Sequence, residues 1–152
     1  MLVQLAVPGR AANDTVLRHY KGSTGYGATA TAFTEVTGSQ TIQDNSFAIT
    51  RNDSQATLTL VDSSVIGLGS NTMVQVSAVE TAANGTHSAT ITVPNGANAW
   101  FRFEVKHPTG GQSNYVFKTP TSSVSVRGTV GLISSGQNGD TISCITCAAN
   151  DV

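Results

Sequence analysis

One pattern in this 152-residue sequence has the residue types of a redox or metal site, Cys144-Ile145-Thr146-Cys147. A structural zinc site takes four ligands, and no second cysteine pair or suitably spaced histidine pair supplies the rest. Thioredoxin-type chemistry places such a pair at the start of a helix in a βαβ unit, which this sequence does not predict. The cysteines therefore form either a local disulfide or two free or intermolecular thiols. A local disulfide requires a turn at Ile145-Thr146, because strand positions three apart face opposite sides.

The other side chains that could do chemistry are few and scattered. Three histidines fall in loop-like segments: His19, His87 and His107. No Gly-x-Ser-x-Gly motif accompanies them, so nothing in the sequence is typical of a Ser-His-Asp triad. Four of the aspartates occupy positions where they are predicted to cap turns: Asp44, Asp53, Asp62 and Asp140. Asp53 and Asp62 could contact a calcium ion, but two carboxylates are too few for a calcium site. We therefore predict no metal, no cofactor and no enzyme activity.

The composition excludes partners that are recognised by charge. The formal net charge is −1 and only 11% of the residues are charged, against about 25% in an average soluble domain. A nearly neutral surface gives no footprint for nucleic acid or an anionic membrane. No apolar run approaches the roughly 18 residues of a membrane span. Ser and Thr make up about a quarter of the chain. A surface with so few charges repels neighbouring molecules weakly, so the composition is compatible with a homo-oligomer.

Short alternating segments predict the elements that must position these residues. Apolar and Thr-rich positions alternate most clearly in 55–61 and 100–106, and turn residues such as Asn84-Gly85 and Asn138-Gly139 separate neighbouring segments. Helical periodicity is confined to two weak candidates, 12–20 and 78–83. We therefore predict a single all-β domain of about ten or eleven short strands with little helix. The predicted strands are 28–36, 46–50, 55–61, 65–68, 73–79, 88–93, 100–106, 114–118, 123–126, 130–133 and 141–145.

Two features of these segments allow more than one interpretation. Trp100 and Tyr115 either line a sugar-stacking platform or occupy half-buried strand positions, which is the commoner case. The N-terminal run is apolar but short, and Pro8-Gly9-Arg10-Ala11 follows it with the small-x-small pattern of a signal-peptidase site. It is either the end of a signal peptide or a first strand that pairs within the molecule or with a second copy. The apolar side chains of that strand are Leu2, Val3, Leu5 and Val7.

Three motifs in order resemble the FecR-type domain. The hallmark of that family reads here as Thr119-Pro120-Thr121, followed by Val126-Arg127-Gly128-Thr129 and then by a strand, a turn and a second strand. An earlier block, with Asp62-Ser63-Ser64 and a Leu-x-x-Asn-Thr segment, is similar to the same family. The resemblance begins near Tyr26, so we expect an N-terminal segment 1–25 and a FecR-like domain 26–152. The residues of the motif also allow predictions of their own. Gly128 is typical of a bulge or of a close backbone approach. Arg127 is expected to be half-buried, with its guanidinium capping backbone carbonyl groups.

The resemblance implies both an architecture and a compartment. Domains of this family are twisted β-rolls or sandwiches with partly solenoid-like stacking, and they act outside the cytoplasm in bacterial regulators that relay a transport signal. The resemblance therefore implies an exported, non-enzymatic domain that binds another protein or takes part in cell-envelope signalling. In an exported protein a local Cys144–Cys147 disulfide is favoured over free thiols. The alternative is a structural subunit of an extracellular filament or surface layer, built by strand pairing between copies.

Overall fold

The computed structural model describes residues 14–106 and 113–147, and within these ranges the chain forms fourteen β-strands and no helix. The expected all-β class is confirmed. No helix in the described ranges is long and apolar enough to cross a membrane. The strands are β1 (Thr15–Lys21), β2 (Thr24–Gly27), β3 (Thr34–Glu35), β4 (Ser39–Ile42), β5 (Ser46–Thr50), β6 (Gln55–Thr59), β7 (Val65–Leu68), β8 (Thr72–Thr81), β9 (His87–Thr92), β10 (Ala99–Glu104), β11 (Ser113–Lys118), β12 (Ser123–Val126), β13 (Val130–Gly136) and β14 (Gly139–Thr146).

The strands form two seven-stranded sheets that pack as a sandwich. Sheet I has the order β14-β13-β10-β7-β6-β1-β4, and sheet II has the order β12-β11-β9-β8-β5-β2-β3. Neighbouring strands run antiparallel, except that β9 and β11 are parallel. In both sheets the early strands lie toward one edge and the late strands toward the other. The chain thus winds back and forth between the sheets, and the expected sandwich is confirmed.

The core lies between the two sheets, where the inward side chains of each strand meet. In β10 the inward positions are Phe101 and Phe103, which are almost fully buried, while Trp100 on the opposite face is exposed. The ring of Phe117 from β11 packs on both, with centroid distances of 5.7 Å to Phe101 and 4.6 Å to Phe103. Leu58 of β6 is likewise fully buried. Alternation with a period of two therefore decides which face of each strand is buried.

The fourteen observed strands exceed the expected ten or eleven because of the region before Ser46. The weak helix signal in 12–20 was wrong for its described part, since β1 pairs with β4 and β6 and buries Leu17 completely. The strand expected at 28–36 was wrong for its first part, since 28–31 form bends and only β3 lies within the range. Intrinsic helix preference is a weak signal that pairing and burial override. From β5 onward each strand corresponds to a predicted one.

The second helix candidate, 78–83, was also wrong where it overlaps a strand. β8 continues to Thr81, and its pairing with β9 shifts between Ser77 and Glu80. Ala78 at this shift has a φ of 51°, which marks a β-bulge in the strand.

The segment before residue 26 contributes to both sheets. β1 pairs in sheet I with β4 and β6, and Thr24 of β2 pairs with Thr50 in sheet II. The division of the chain at residues 25 and 26 stays a prediction. The apolar strand predicted at Leu2, Val3, Leu5 and Val7 lies outside the described residues.

Gly128 lies where the chain crosses from β12 in sheet II to β13 in sheet I. Its φ is 64°, a left-handed conformation that costs a residue with a Cβ about 1–2 kcal/mol. We therefore expect Gly128→Ala to lower the free energy of unfolding by about that amount, measured by chemical denaturation. Gly38 is the matched control, because its φ is not positive and a Cβ there has no atom within 4 Å. Gly38→Ala should be neutral or stabilise by up to about 1 kcal/mol, and equal losses in both variants would contradict the argument.

Candidate functional site

The motif Thr119-Pro120-Thr121 forms the turn between β11 and β12. The Thr119 N–H donates to the Ser122 carbonyl oxygen at 2.9 Å, and the Ser122 N–H donates to Thr119 Oγ1 at 2.9 Å. Pro120 suits this turn because its fixed φ matches an early turn position and it keeps Thr119 extended. The motif thereby turns two hydroxyl groups toward the neighbouring hairpin.

Asp140 receives those hydroxyl groups from the other sheet. It lies at the start of β14, and its carboxylate accepts hydrogen bonds from Thr119 Oγ1 and Thr121 Oγ1. The hydrogen bond from Ser135, followed by those from Thr119 and Thr121, lowers the pKa of Asp140 to about 2. This aspartate, expected only to cap a turn, therefore joins the β11–β12 hairpin of sheet II to the β13–β14 hairpin of sheet I. A cavity of about 250 Å³ adjoins this junction.

The motif Val126-Arg127-Gly128-Thr129 carries the chain from sheet II to sheet I. Val126 and Thr129 are buried at the two ends of the crossing, and the Thr129 carbonyl oxygen accepts from the Val105 N–H at 2.9 Å. Gly128 has a left-handed backbone conformation, with a φ of 64°, and the bulge or close backbone approach expected there stays a prediction. Arg127 was expected to be half-buried but is exposed, because Val126 and Thr129 are the buried positions of the crossing and Arg127 lies between them. The motif therefore marks a structural crossover.

Strand β14 is an edge of sheet I and ends in the cysteine pair. It is eight residues long, and within the described residues it pairs with β13 alone. Residues 141–146 are exposed, including the apolar side chains of Ile142 (37%) and Ile145 (53%). Cys144 and Cys147 have their sulfur atoms at bonding distance and their Cα atoms 6.1 Å apart. The turn expected at Ile145-Thr146 was wrong, because both residues lie in β14. Instead the pairing of β14 with β13 shifts register between Cys144 and Thr146, and this irregularity changes the alternation of side chains before Cys147.

The remaining candidate residues are not brought together into a reactive site. Asp53 forms an ion pair with Lys21 at 2.6 Å, and Asp44 Oδ1 accepts from the Val79 N–H at 3.3 Å. His19 and His87 each contact a threonine hydroxyl at 3.0 Å, while His107 lies outside the described residues. No group of three or more His, Cys, Asp or Glu that could hold a metal occurs among the residues that the structure describes.

Asp62 forms a second polar junction between the sheets. Its carboxylate accepts from the Ser64 N–H at 2.9 Å and from the hydroxyls of Ser64 and Ser113 at 2.8 and 2.7 Å. Burial raises the pKa of Asp62, but these hydrogen bonds together outweigh it and leave the pKa below 3.8. Burial, and then the neighbouring Asp62, raise the pKa of Tyr115. Tyr115 is thus a core residue at 1% exposure and not part of a sugar platform.

Comparison with known proteins identifies the family. The family model for "FecR protein" matches residues 47–152, more than half of the chain, so the chain belongs to the FecR protein family. The match covers β5 to β14 and includes both junctions, the crossover and the β14 edge. The family is a bacterial, signalling-related one, associated with the cell envelope. No curated protein and no solved structure matches the chain.

The two junction aspartates make stability depend on pH. Hydrogen bonds hold the folded-state pKa values of both below the ordinary aspartate value, so below about pH 5 the unfolded chain binds more protons than the folded one. We expect the free energy of unfolding to fall as the pH is lowered from about 5 toward 2. Asp140→Asn should be less stable than the wild type at pH 7 and lose less stability over that acid range. Parallel curves of unfolding free energy against pH for the two proteins would contradict this account.

The cysteine pair predicts a defined thiol titration. Without reductant, the folded protein should show no reactive thiol, and after reduction it should show two. A double Cys144→Ser, Cys147→Ser variant should lose at most about 2 kcal/mol, since so short a loop removes little entropy from the unfolded chain. Reactive thiols in the air-oxidised protein would refute the disulfide.

Proposed function

We propose that this domain is a non-enzymatic interaction module exported to the bacterial cell envelope, and that it binds a partner protein by adding a strand to β14. Strand addition uses the backbone N–H and C=O groups of an exposed edge for affinity and the side-chain pattern for specificity. Membership of the FecR family supports the signalling context. The disulfide-forming cysteine pair supports an oxidising compartment.

The observation that carries this proposal is the contrast between β14 and the other sheet edges. The edges formed by β3, β4 and β12 are two, four and four residues long, whereas β14 has eight residues. Proteins protect exposed edges with short strands, charges or proline. β14 has no charged residue and no proline after Asp140, and it displays Ile142 and Ile145. Over residues 139–144 this long edge pairs regularly with β13 and has no charged residue after Asp140, as a docking strand requires.

The register of the hairpin identifies the backbone groups available for pairing. The two-residue turn between Gly136 and Gly139 makes these residues a hydrogen-bonded pair. Since such pairs alternate along an antiparallel ladder, Ile142 and Cys144 direct their N–H groups away from β13. The hydrogen bonds from Thr119 and Thr121 to Asp140, together with the crossover at Gly128, hold this hairpin against the body of the sandwich. The edge is therefore preorganised, and a partner strand need not order it.

The test places a photo-crosslinking amino acid on the edge of the full chain in the bacterium that produces it. At Ser143 we expect a covalent adduct with one other protein, and at the matched control position Ser125, on the short edge β12, no such adduct. Ile142→Pro removes the outward N–H and should abolish the adduct, whereas Ile142→Thr keeps that N–H and should retain it. Both variants should unfold within a few degrees of the wild type, because proline is tolerated at an outward edge position. Equal adducts at both positions, or an adduct that survives Ile142→Pro, would refute strand addition.

The second candidate function is self-assembly by the same edge. The low charge and the apolar residues Leu2, Val3, Leu5 and Val7 favour it, because that segment has the pattern of a strand that completes a neighbour's sheet. In the same experiment, self-assembly would give an adduct between two copies of the chain. It would also give large species in light scattering that disappear when residues 1–11 are deleted.

A further inference from the structure

The outer face of sheet I contains a trough whose floor lacks side chains. Gly67 of β7 faces outward between Thr57 of β6 and Arg102 of β10, and Gly69, two residues further on, lies beneath the Trp100 ring. A Cβ built on Gly67 meets only the Arg102 carbonyl oxygen, at 3.9 Å, so the floor is open above this position. The resulting cavity has a volume of about 420 Å³, and Tyr20 and Trp100 are among its walls. We call this cavity the aromatic trough.

The two aromatic rings of the trough are exposed yet held in place. Trp100 is 53% exposed, and its ring lies so close over Gly69 that a Cβ there would be only 2.2 Å from ring atom Cε3. The backbone N–H of Trp100 donates to the buried Thr72 hydroxyl at 2.9 Å, and the backbone N–H of Gly69 donates to the Trp100 carbonyl oxygen at 2.8 Å. Tyr20 is 56% exposed, and the Arg18 guanidinium lies 5.0 Å from its ring centroid. Exposed rings fixed in this way form a ready stacking surface.

The charges around the trough favour an anionic ligand. Among the described residues Lys21 is paired with Asp53 at 2.6 Å and Lys106 with Glu104 at 2.5 Å. Within the same ranges, neither Arg18 nor Arg102 has a carboxylate at ion-pair distance. They lie on one line of strand pairing, Arg18–Thr57–Gly67–Arg102, so their Cα atoms are roughly 14 Å apart. Guanidinium groups bind carboxylates through paired hydrogen bonds.

We propose that the aromatic trough binds an acidic polysaccharide of the uronic-acid type. A sugar ring presents a face of C–H bonds that stacks on an indole or phenol ring, and a uronic acid adds a carboxylate for an arginine. The trough supplies aromatic rings and arginines at the spacing of a short oligosaccharide. The hydroxyl of Thr57 and the amide of Gln55 can form hydrogen bonds with the sugar hydroxyls. A peptide fits less well, because peptides add to sheet edges or need side-chain pockets, and this floor is glycine backbone.

The test is isothermal titration of the full chain with tetramers of galacturonate, glucuronate and mannuronate, together with a methyl-esterified tetramer and tetraglutamate. At least one uronate tetramer should bind, with an affinity that falls as salt is added. The esterified tetramer and tetraglutamate should bind at least about tenfold more weakly. If no uronate tetramer binds, or if tetraglutamate binds as tightly, the proposal is wrong.

Variants of the trough separate its binding from folding. Gly67→Val fills the floor at a position where a Cβ has room and strand preference improves, so it should fold normally and lose at least tenfold in affinity. Arg102→Gln keeps the length of the side chain but removes its charge, and it should also lose about tenfold. Arg127→Gln is the matched control, an exposed arginine of the sheet crossover, and should bind like the wild type. Unchanged affinity in Gly67→Val would overturn the proposal even if Arg102→Gln reduced binding.

Discussion

The fold depends on satisfying the backbone wherever the chain leaves one sheet for the other. At such crossings the ladder of strand hydrogen bonds stops, and buried N–H and C=O groups need new partners. Here short hydroxyl side chains supply many of them. Thr72 on β8 accepts from the Trp100 N–H of the opposite sheet at 2.9 Å, and the buried Ser54 hydroxyl accepts from the Ser23 N–H at 2.8 Å. The abundance of Ser and Thr in this chain thus has a structural use inside the molecule as well as on its surface.

The two aspartate junctions extend this principle from backbone to side chains. Asp62 and Asp140 each collect hydroxyl donors from a strand or turn of the other sheet, so each fixes how the sheets lie relative to one another. A carboxylate with several hydroxyl donors keeps its charge without needing a lysine or arginine. A sandwich with so few charged residues can therefore hold two of its aspartates in structural positions, and Arg18 and Arg102 remain on the outer face without a carboxylate of the described residues at ion-pair distance.

Sequence reasoning reached those parts of the fold that depend on local pattern. The alternation around Phe101 and Phe103 predicts β10 correctly, and Asn138-Gly139 predicts the β13–β14 hairpin. Strand β1 was missed because Leu17 becomes a strand residue only through its pairing with β4 and β6, which lie far along the chain. The hydrogen bonds of the Asp62 junction could not be predicted from the sequence either, because Ser113 lies 51 residues away from Asp62 in the sequence. The trough was missed for the same reason, because its walls come from four strands that only the pairing in sheet I brings together.

The two outer faces of the sandwich differ in a way that bears on where ligands bind. Sheet II presents hydroxyl groups along β9, at Ser88, Thr90 and Thr92, and such a surface interacts with water about as well as with any partner. Sheet I presents two exposed aromatic rings, two arginines and a long edge strand with no charged residue after Asp140. Large aromatic side chains and arginine are the residues that most often dominate binding energy. The edge at β14 and the trough between β1 and β10 are separated by the width of β13, so a strand-like partner and a sugar-like ligand can occupy sheet I at the same time.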